Sequence, residues 1–342
     1  RDSVASRGLG DVYKRQLQGC SKLPLLFSAD AENGLPMKFS QVVDFPKNIT
    51  LGSLPDVSLI EQMGRSVGRQ MKECGIQVNF APVVDVNTNP SNPIIGVRSF
   101  GENPHRVSQA ALAYVRGLQS EGCVAVVKHF PGHGDTSQDS HTSLPLVSTT
   151  RERMDSVELL PFRTCIENGV MGVMSAHLNV PALDKTVKST SVSRQVLEVL
   201  LREEMGFKGL VVSDAVNMDG LKIATAGTNV EAACLEGGTD VVEFSLDVES
   251  AINSVKEKIE KGVLTESEID MKVRRVLAVK EWCAKYARQE SGMRGHVNSL
   301  DAECLSDMIF KKSVTILQNN NLESRDVRIK TFGEWPEFAI SQ

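Results

Sequence analysis

Residues 124–130, VAVVKHF, and 209–214, GLVVSD, share one form: a short run of mostly β-branched apolar residues that stops on a charged or titratable side chain. Near-continuous apolar runs of this length fit strands buried on both faces, as in a parallel sheet. Working outward, the same form recurs at LPLLFSAD (23–30), QVNFAPVVD (77–85), IIGVRSF (94–100), VMGVMSAHL (170–178) and TDVVEF (239–244). Helical patterns lie between these runs at 57–74, 104–121, 153–168, 193–205 and 228–236, and two more follow near 249–261 and 266–285. Such alternation predicts parallel βα units. The polar ends are, in order, Asp30, Asp85, Arg98, Lys128 with His129, His177, Asp214 and Glu243. A parallel barrel gathers all carboxyl ends of its strands on one face, where its active site sits. An open doubly wound sheet has one switch point and less reason for a polar group on every strand. The expected fold is therefore α/β, a (β/α)8 TIM-type barrel, with seven strands visible and the first strand expected to be missing.

The chain has 342 residues, which at about 150 per domain means two domains or one large barrel. Hydrophobic residues make up 41% and charged residues 24%, a globular balance that excludes wholesale disorder and collagen. Thirty-eight Lys and Arg against 43 Asp and Glu leave a net charge of −5, so no basic field points to nucleic acid or an anionic membrane surface. No apolar run reaches the length of about 18 residues that a spanning helix needs. The seven cysteines (20, 74, 123, 165, 234, 283, 304) are scattered without a CxxC pair. They read as buried thiols, neither a disulfide framework nor a zinc site, and no metal or cofactor is expected.

Both ends look foreign to this pattern. Residues 1–16, RDSVASRGLGDVYKRQ, have no amphipathic period and no apolar core, so they form no signal peptide. Their DVYKRQ resembles a translated transposon adapter, and 1–16 is expected to be a non-native segment. The catalytic barrel is expected over 17–290. Residues 291–342 are expected to be a linker and the truncated start of a further C-terminal domain.

The densest chemistry is VVKHFPGHGDTSQDSHTSLP (126–145), which holds three of the six histidines. Pro131, Gly132 and Gly134 turn the backbone out of the strand into a loop. Asp139 and His141 are two apart, close enough for the carboxylate to fix the tautomer of the imidazole and raise its basicity. That dyad suits proton donation and later abstraction near neutral pH. Asp214, at another strand end, reads either as an N-cap or as a nucleophile aimed into the same barrel mouth. Asp85 and His133 read equally as loop-ordering residues, and Glu243 as a strand-end salt bridge.

The segment KHFPGHGDTSQDSH, preceded by NFAPVVDVNTNPSNPIIGVRSFG and followed by VMSAHLNVPALD and SDAVNM, resembles glycoside hydrolase family 3, in its bacterial β-N-acetylglucosaminidase branch. The similarity spans roughly residues 20–320 in the expected order. It implies a retaining, exo-acting glycosidase with Asp214 as nucleophile and His141 as general acid/base, partnered by Asp139. It also implies that Asp30, Arg98, Lys128 and His129 grip sugar hydroxyls, with His177 a secondary binding residue. One departure stands out: the family's Asp-x-Glu-(Gly/Trp)-Gly is here Asp30-Ala31-Glu32-Asn33-Gly34. The implied partner is a small GlcNAc-containing carbohydrate, from peptidoglycan fragments or chito-oligosaccharides. FPKNITLG and DVNTNPSNP look like the longer, multi-domain members, which favours the periplasm or cell envelope over the cytoplasm. Three alternatives accompany this reading. A neutral histidine base does not repel phosphate, so a phosphorylase fits the same site. Histidines, lysine and aspartate at strand ends also suit a metal-dependent amidohydrolase barrel. A non-catalytic, truncated carbohydrate-binding remnant is the third.

Overall fold

The computed structural model describes residues 13–14, 16–38, 42–138, 143–186, 189–225, 227–288 and 298–314, with the short pairs 328–329 and 338–339. Five parallel strands pair in chain order: β1 (Ser28–Ala29), β2 (Val78–Asn79), β3 (Val124–Phe130), β4 (Gly172–Ser175) and β5 (Leu210–Ser213). A sixth position follows at Val241, which forms a parallel bridge with Val212. Each strand is succeeded by helix, so consecutive neighbours in sequence are neighbours in the sheet. The result is a TIM-type (β/α) barrel in which the described strands form a curled arc with helices packed against it.

The helices form where the apolar residues recur on one face. In α1 (Ser58–Glu73), Ile60, Met63, Val67 and Met71 are all buried, at helical spacing. Its neighbour α2 (Pro104–Ser120) begins at Pro104, with the Asn103 side chain accepting from the Arg106 amide as an N-cap. The two helices meet through glycine: a Cβ on Gly117 would lie 2.1 Å from the Glu61 carbonyl oxygen, so only glycine permits that approach. The single helix expected over 153–168 is two, α3 (Arg151–Ser156) and α4 (Leu160–Glu167). Pro161, inside the expected span, cannot donate to a preceding turn, so the helix restarts there. Further on lie α5 (Gln195–Glu204), wound in the wider π register, α6 (Val230–Gly237), α7 (Val248–Glu260) and α8 (Glu266–Arg288).

The sheet separates two apolar clusters. Ala125, Val127, Val173 and Val211 point outward into the main core beneath α1, α2 and α4. The alternate residues Val124, Val126, Met174, Leu210 and Val212 point inward, where Val276, Val279, Trp282 and Cys283 of α8 pack on them. This inner face carries the site at its carboxyl end.

Two sequence expectations are revised. Residues 94–100 are not a strand but a loop closing on a single helical turn, Gly96–Arg98. The Asn92 carboxamide oxygen accepts from the amides of both Ile94 and Ile95, at 2.9 Å each, and Gly96 turns at φ +40°, so the backbone curls away from the sheet. In addition, α9 (Leu300–Lys312) buries Ala302, Leu305 and Ile309 in the main core, beside α1. The packed body therefore continues past residue 290 into the stretch read as linker. Among the described residues, no helix is long and apolar enough to cross a membrane.

Candidate active site

Glu32 organises the mouth of the arc. The Arg98 guanidinium grips it with two bonds, Nε to Oε2 at 3.0 Å and Nη2 to Oε1 at 2.7 Å. The Lys128 ammonium lies 2.9 Å from Glu32 Oε1 and donates to Asp30 Oδ1 at 2.7 Å. A buried lysine and a part-exposed arginine thus share one nearly enclosed carboxylate, whose side chain is 7% exposed. Burial pushes Glu32 up, but Lys128 and Arg98 outweigh it and hold the carboxyl far below the usual range. Burial pushes Lys128 down, but Glu32 and Asp30 outweigh it and keep its pKa raised. Asp30 remains the most open of the group, with 37% of its side chain exposed. Glu32 was legible only as part of the Asp30-x-Glu32 spacing; its partnership with Arg98, 66 residues away, leaves no local trace.

Asp85, fully buried, fixes the chain where β3 leaves the sheet. Its Oδ2 accepts from His129 Nδ1 at 2.7 Å, and its Oδ1 accepts from the His133 amide at 2.6 Å. The other nitrogen of His129, Nε2, faces Arg98 Nη2 at 3.2 Å. Both imidazole nitrogens of this strand-end residue are therefore engaged by the protein. His133 is buried with Nδ1 2.7 Å from Thr136 Oγ1, and burial pushes its pKa down to about 4. Asn92 donates to the His133 carbonyl at 2.8 Å, tying the Arg98 loop to the histidine-rich loop. Of the two readings for Asp85 and His133, the structure supports loop ordering.

Asp214 follows β5, its amide donating to the Ser175 carbonyl at 2.9 Å and its Oδ1 accepting from the Ala215 amide at 2.8 Å. Burial raises its carboxyl, but His129, His177, the Ala215 amide and Lys128 outweigh that and hold it below the usual range. It is an anion at neutral pH. His177 supports it from β4: Nε2 donates to the Ala215 carbonyl at 3.3 Å and Nδ1 meets Ser191 Oγ at 2.7 Å. Burial lowers the His177 pKa, keeping the ring neutral. With both nitrogens engaged and 1% of the residue exposed, His177 holds the Asp214 turn instead of offering a nitrogen to a ligand.

The structure thus brings Asp30, Arg98, Lys128, His129, His177 and Asp214 to one end of the sheet, with Arg98 reaching it from a loop. Asp139 and His141 lie outside the described residues. The loop leading toward them, 131–138, is seated by Gly134, where a Cβ would lie 1.9 Å from the Val86 carbonyl oxygen.

This geometry coincides with a family match: the model of the glycosyl hydrolase family 3 N terminal domain covers residues 5–279. The chain belongs to glycoside hydrolase family 3. The match takes in residues 5–16, the stretch expected to be foreign. The family-3 chain is 37% identical over 240 residues to the beta-hexosaminidase A of Pseudoalteromonas piscicida, covering 66% of this chain and 40% of that protein. It is 35% identical over 235 residues to the beta-hexosaminidase of Nitrosomonas eutropha, covering 67% of each. Among solved structures, a glycoside hydrolase family 3 beta-N-acetylglucosaminidase from Paenibacillus sp. str. FPU-7 superposes with a TM-score of 0.83 at 34% identity, over 95% of this chain and 61% of that one. The family-3 chain therefore spans well under two thirds of the length of some of its relatives.

Proposed function

We propose that this family-3 barrel is the catalytic part of a retaining, exo-acting β-N-acetylglucosaminidase that releases terminal β-linked GlcNAc from peptidoglycan fragments or chito-oligosaccharides. The carrying observation is Asp214, a carboxylate kept ionised on the inner face of the sheet beside a rim of fixed polar groups, Asp30, Lys128 and Arg98. Relatives named as beta-hexosaminidases support the substrate class.

In this mechanism Asp30 accepts from sugar hydroxyls. Lys128 spends two of its three protons on Asp30 and Glu32, leaving one for a sugar oxygen. His129 and His177 serve by positioning Arg98 and the Asp214 turn. Asp214 attacks the anomeric carbon while protonated His141, oriented by Asp139, delivers its proton to the leaving oxygen. The C1–O bond breaks, and a covalent glycosyl–Asp214 ester forms. His141, now neutral, takes a proton from water as that water attacks C1, which frees Asp214 and gives net retention. Lys128 and Arg98 place two positive charges at the strand ends where an amidohydrolase would gather metal ligands, which argues against that chemistry.

An aryl β-N-acetylglucosaminide assay tests the reading. Asp214→Ala is expected to lose on the order of 1,000-fold or more in kcat, and His141→Ala to lose on the order of 100-fold or more, as removal of a nucleophile and of a general acid should. A chain that cleaves no GlcNAc-terminated substrate overturns it. Accumulation of N-acetylglucosamine 1-phosphate when phosphate is added would replace hydrolysis with phosphorolysis.

A further inference from the structure

On the inner face of the sheet every second residue points the same way. Val126, Val212 and Val241 all join the inner apolar cluster, and the next inward residues along the same runs are Lys128, Asp214 and Glu243. The first two are accounted for above. Glu243 is fixed by its main chain, its amide donating to Ser213 Oγ at 2.9 Å and its carbonyl accepting from the Val216 amide at 3.1 Å. Its carboxyl makes no hydrogen bond or ion pair among the described residues, so the strand-end salt bridge expected as one reading is not formed there. The charges that face it are Asp30 beyond β1, Asp214 beyond β5, Lys128 on β3 and Lys38. Neither lysine pairs with it: Lys128 bonds Asp30 and Glu32, and Lys38 lies 3.7 Å from Asp30.

We propose that Glu243 is a sugar-contacting residue of this site, closing the ring of side chains on the edge of the pyranose opposite Lys128 and Arg98. The inference rests on the glycosidase reading above. Round the mouth in strand order come Asp30, Lys128 with His129, His177, Asp214 and Glu243, and Glu243 senses the charge of both Asp214 and Asp30. A pyranose with C1 at Asp214 and its far end at Asp30 turns one edge to Lys128 and Arg98 and the other to Glu243. Burial, with the charges of Asp30 and Asp214, pushes the Glu243 carboxyl up to about 7 against the pull of Lys128 and Lys38. Protonated, it donates an O–H to a sugar oxygen while its other oxygen accepts. Ionised, it loses that donor and becomes a third anion beside two others. Sugar affinity should therefore be full below pH 7 and fall as pH rises through it.

The test is calorimetric titration of the full chain with GlcNAc between pH 5.5 and 8.5, alongside aryl N-acetylglucosaminide kinetics, for wild type, Glu243→Gln and Glu243→Leu. Wild-type affinity is expected to drop about tenfold across this range, and Glu243→Gln, which cannot ionise, to flatten the dependence. Glu243→Leu should raise KM and the GlcNAc Kd about tenfold at pH 6 with a smaller change in kcat, the signature of a lost binding contact. Wild-type KM, Kd and pH profile in Glu243→Leu would overturn the proposal; if that variant fails to fold, an unaltered pH profile in Glu243→Gln does so. A wild type that binds GlcNAc without hydrolysing it would remove the glycosidase reading and leave Glu243 to be judged by the titrations alone. A wild type that binds none removes both.

Discussion

Glu32 carries more of the site than its single sequence position suggests, because two cations depend on it. Removing it leaves the buried Lys128 with Asp30 alone and the part-exposed Arg98 without its carboxylate partner, and breaking a buried ion pair costs up to about 3–5 kcal/mol. Glu32→Gln is expected to lose that much stability at pH 7, measured by urea unfolding. The same carboxylate supplies a pH signature. Its folded-state pKa lies far below the ordinary value of 4.5, so its contribution is present above that value. That contribution fades as pH falls below it, where the unfolded chain takes up the proton first. The gap between wild type and Glu32→Gln should therefore narrow from pH 5 to pH 3. A gap that stays constant over that range would show that the two cations do not depend on the ionised form. Asp85 plays the corresponding part for His129 and His133. In Asp85→Asn, one acceptor oxygen becomes a donor facing either a ring N–H or a backbone N–H, so kcat/KM is expected to fall about 100-fold through misplacement of the loop.

The loop that follows β3 depends on backbone approach more than on side-chain packing. At Gly134 the neighbour is the Val86 carbonyl, which belongs to the backbone beyond β2 and has no rotamer by which to yield. Gly134→Ala must displace the loop, at an overpacking cost of about 1–3 kcal/mol. It is expected to lower kcat/KM about 100-fold with a modest fall in Tm, and an alanine variant with wild-type kinetics would show that the loop's seat is irrelevant to the chemistry. What was legible in the sequence follows the same division between local and distant causes. The helices were readable because one chain segment supplies the whole pattern, as Ile60, Met63, Val67 and Met71 do in α1. Strands β3, β4 and β5 were readable as apolar runs, and their polar ends located Lys128, His129 and Asp214 at once. The run 94–100 misled because isoleucine and valine favour strands, whereas its path is set by the Asn92 carboxamide and by the pull of Glu32 on Arg98. Glu32, Asp85 and His177 took their roles from partners distant in sequence, which no periodicity records.

The body that holds the site is larger than the alternation of strand and helix alone implies. The inner face needs α8 to cover Val124, Val126, Leu210 and Val212, since a curled sheet with an open interior would leave those side chains in water. Its outer layer needs α9 in turn: Ser306 Oγ of α9 donates to the Asp44 carbonyl at 2.5 Å, and Asn298, just before the helix, accepts through Oδ1 from the Val43 amide at 2.9 Å. Those two contacts join residues more than 250 apart and brace the stretch just beyond Asp30 and Glu32. If α9 were part of a linker, truncating a side chain there would cost nothing. If it is structural, Ile309, at 0% exposure in the main core, should behave as a core residue. Ile309→Ala is then expected to cost about 2–5 kcal/mol, read as a lower urea midpoint at unchanged slope. Phe310→Ala on the exposed side of the same helix should stay within about 0.5 kcal/mol. Because α9 braces the stretch that follows Asp30 and Glu32, the Ile309 variant should also raise KM for the aryl glycoside more than it lowers kcat. Equal stability of the two variants would detach α9 from the barrel and return residues beyond 290 to the role of a linker.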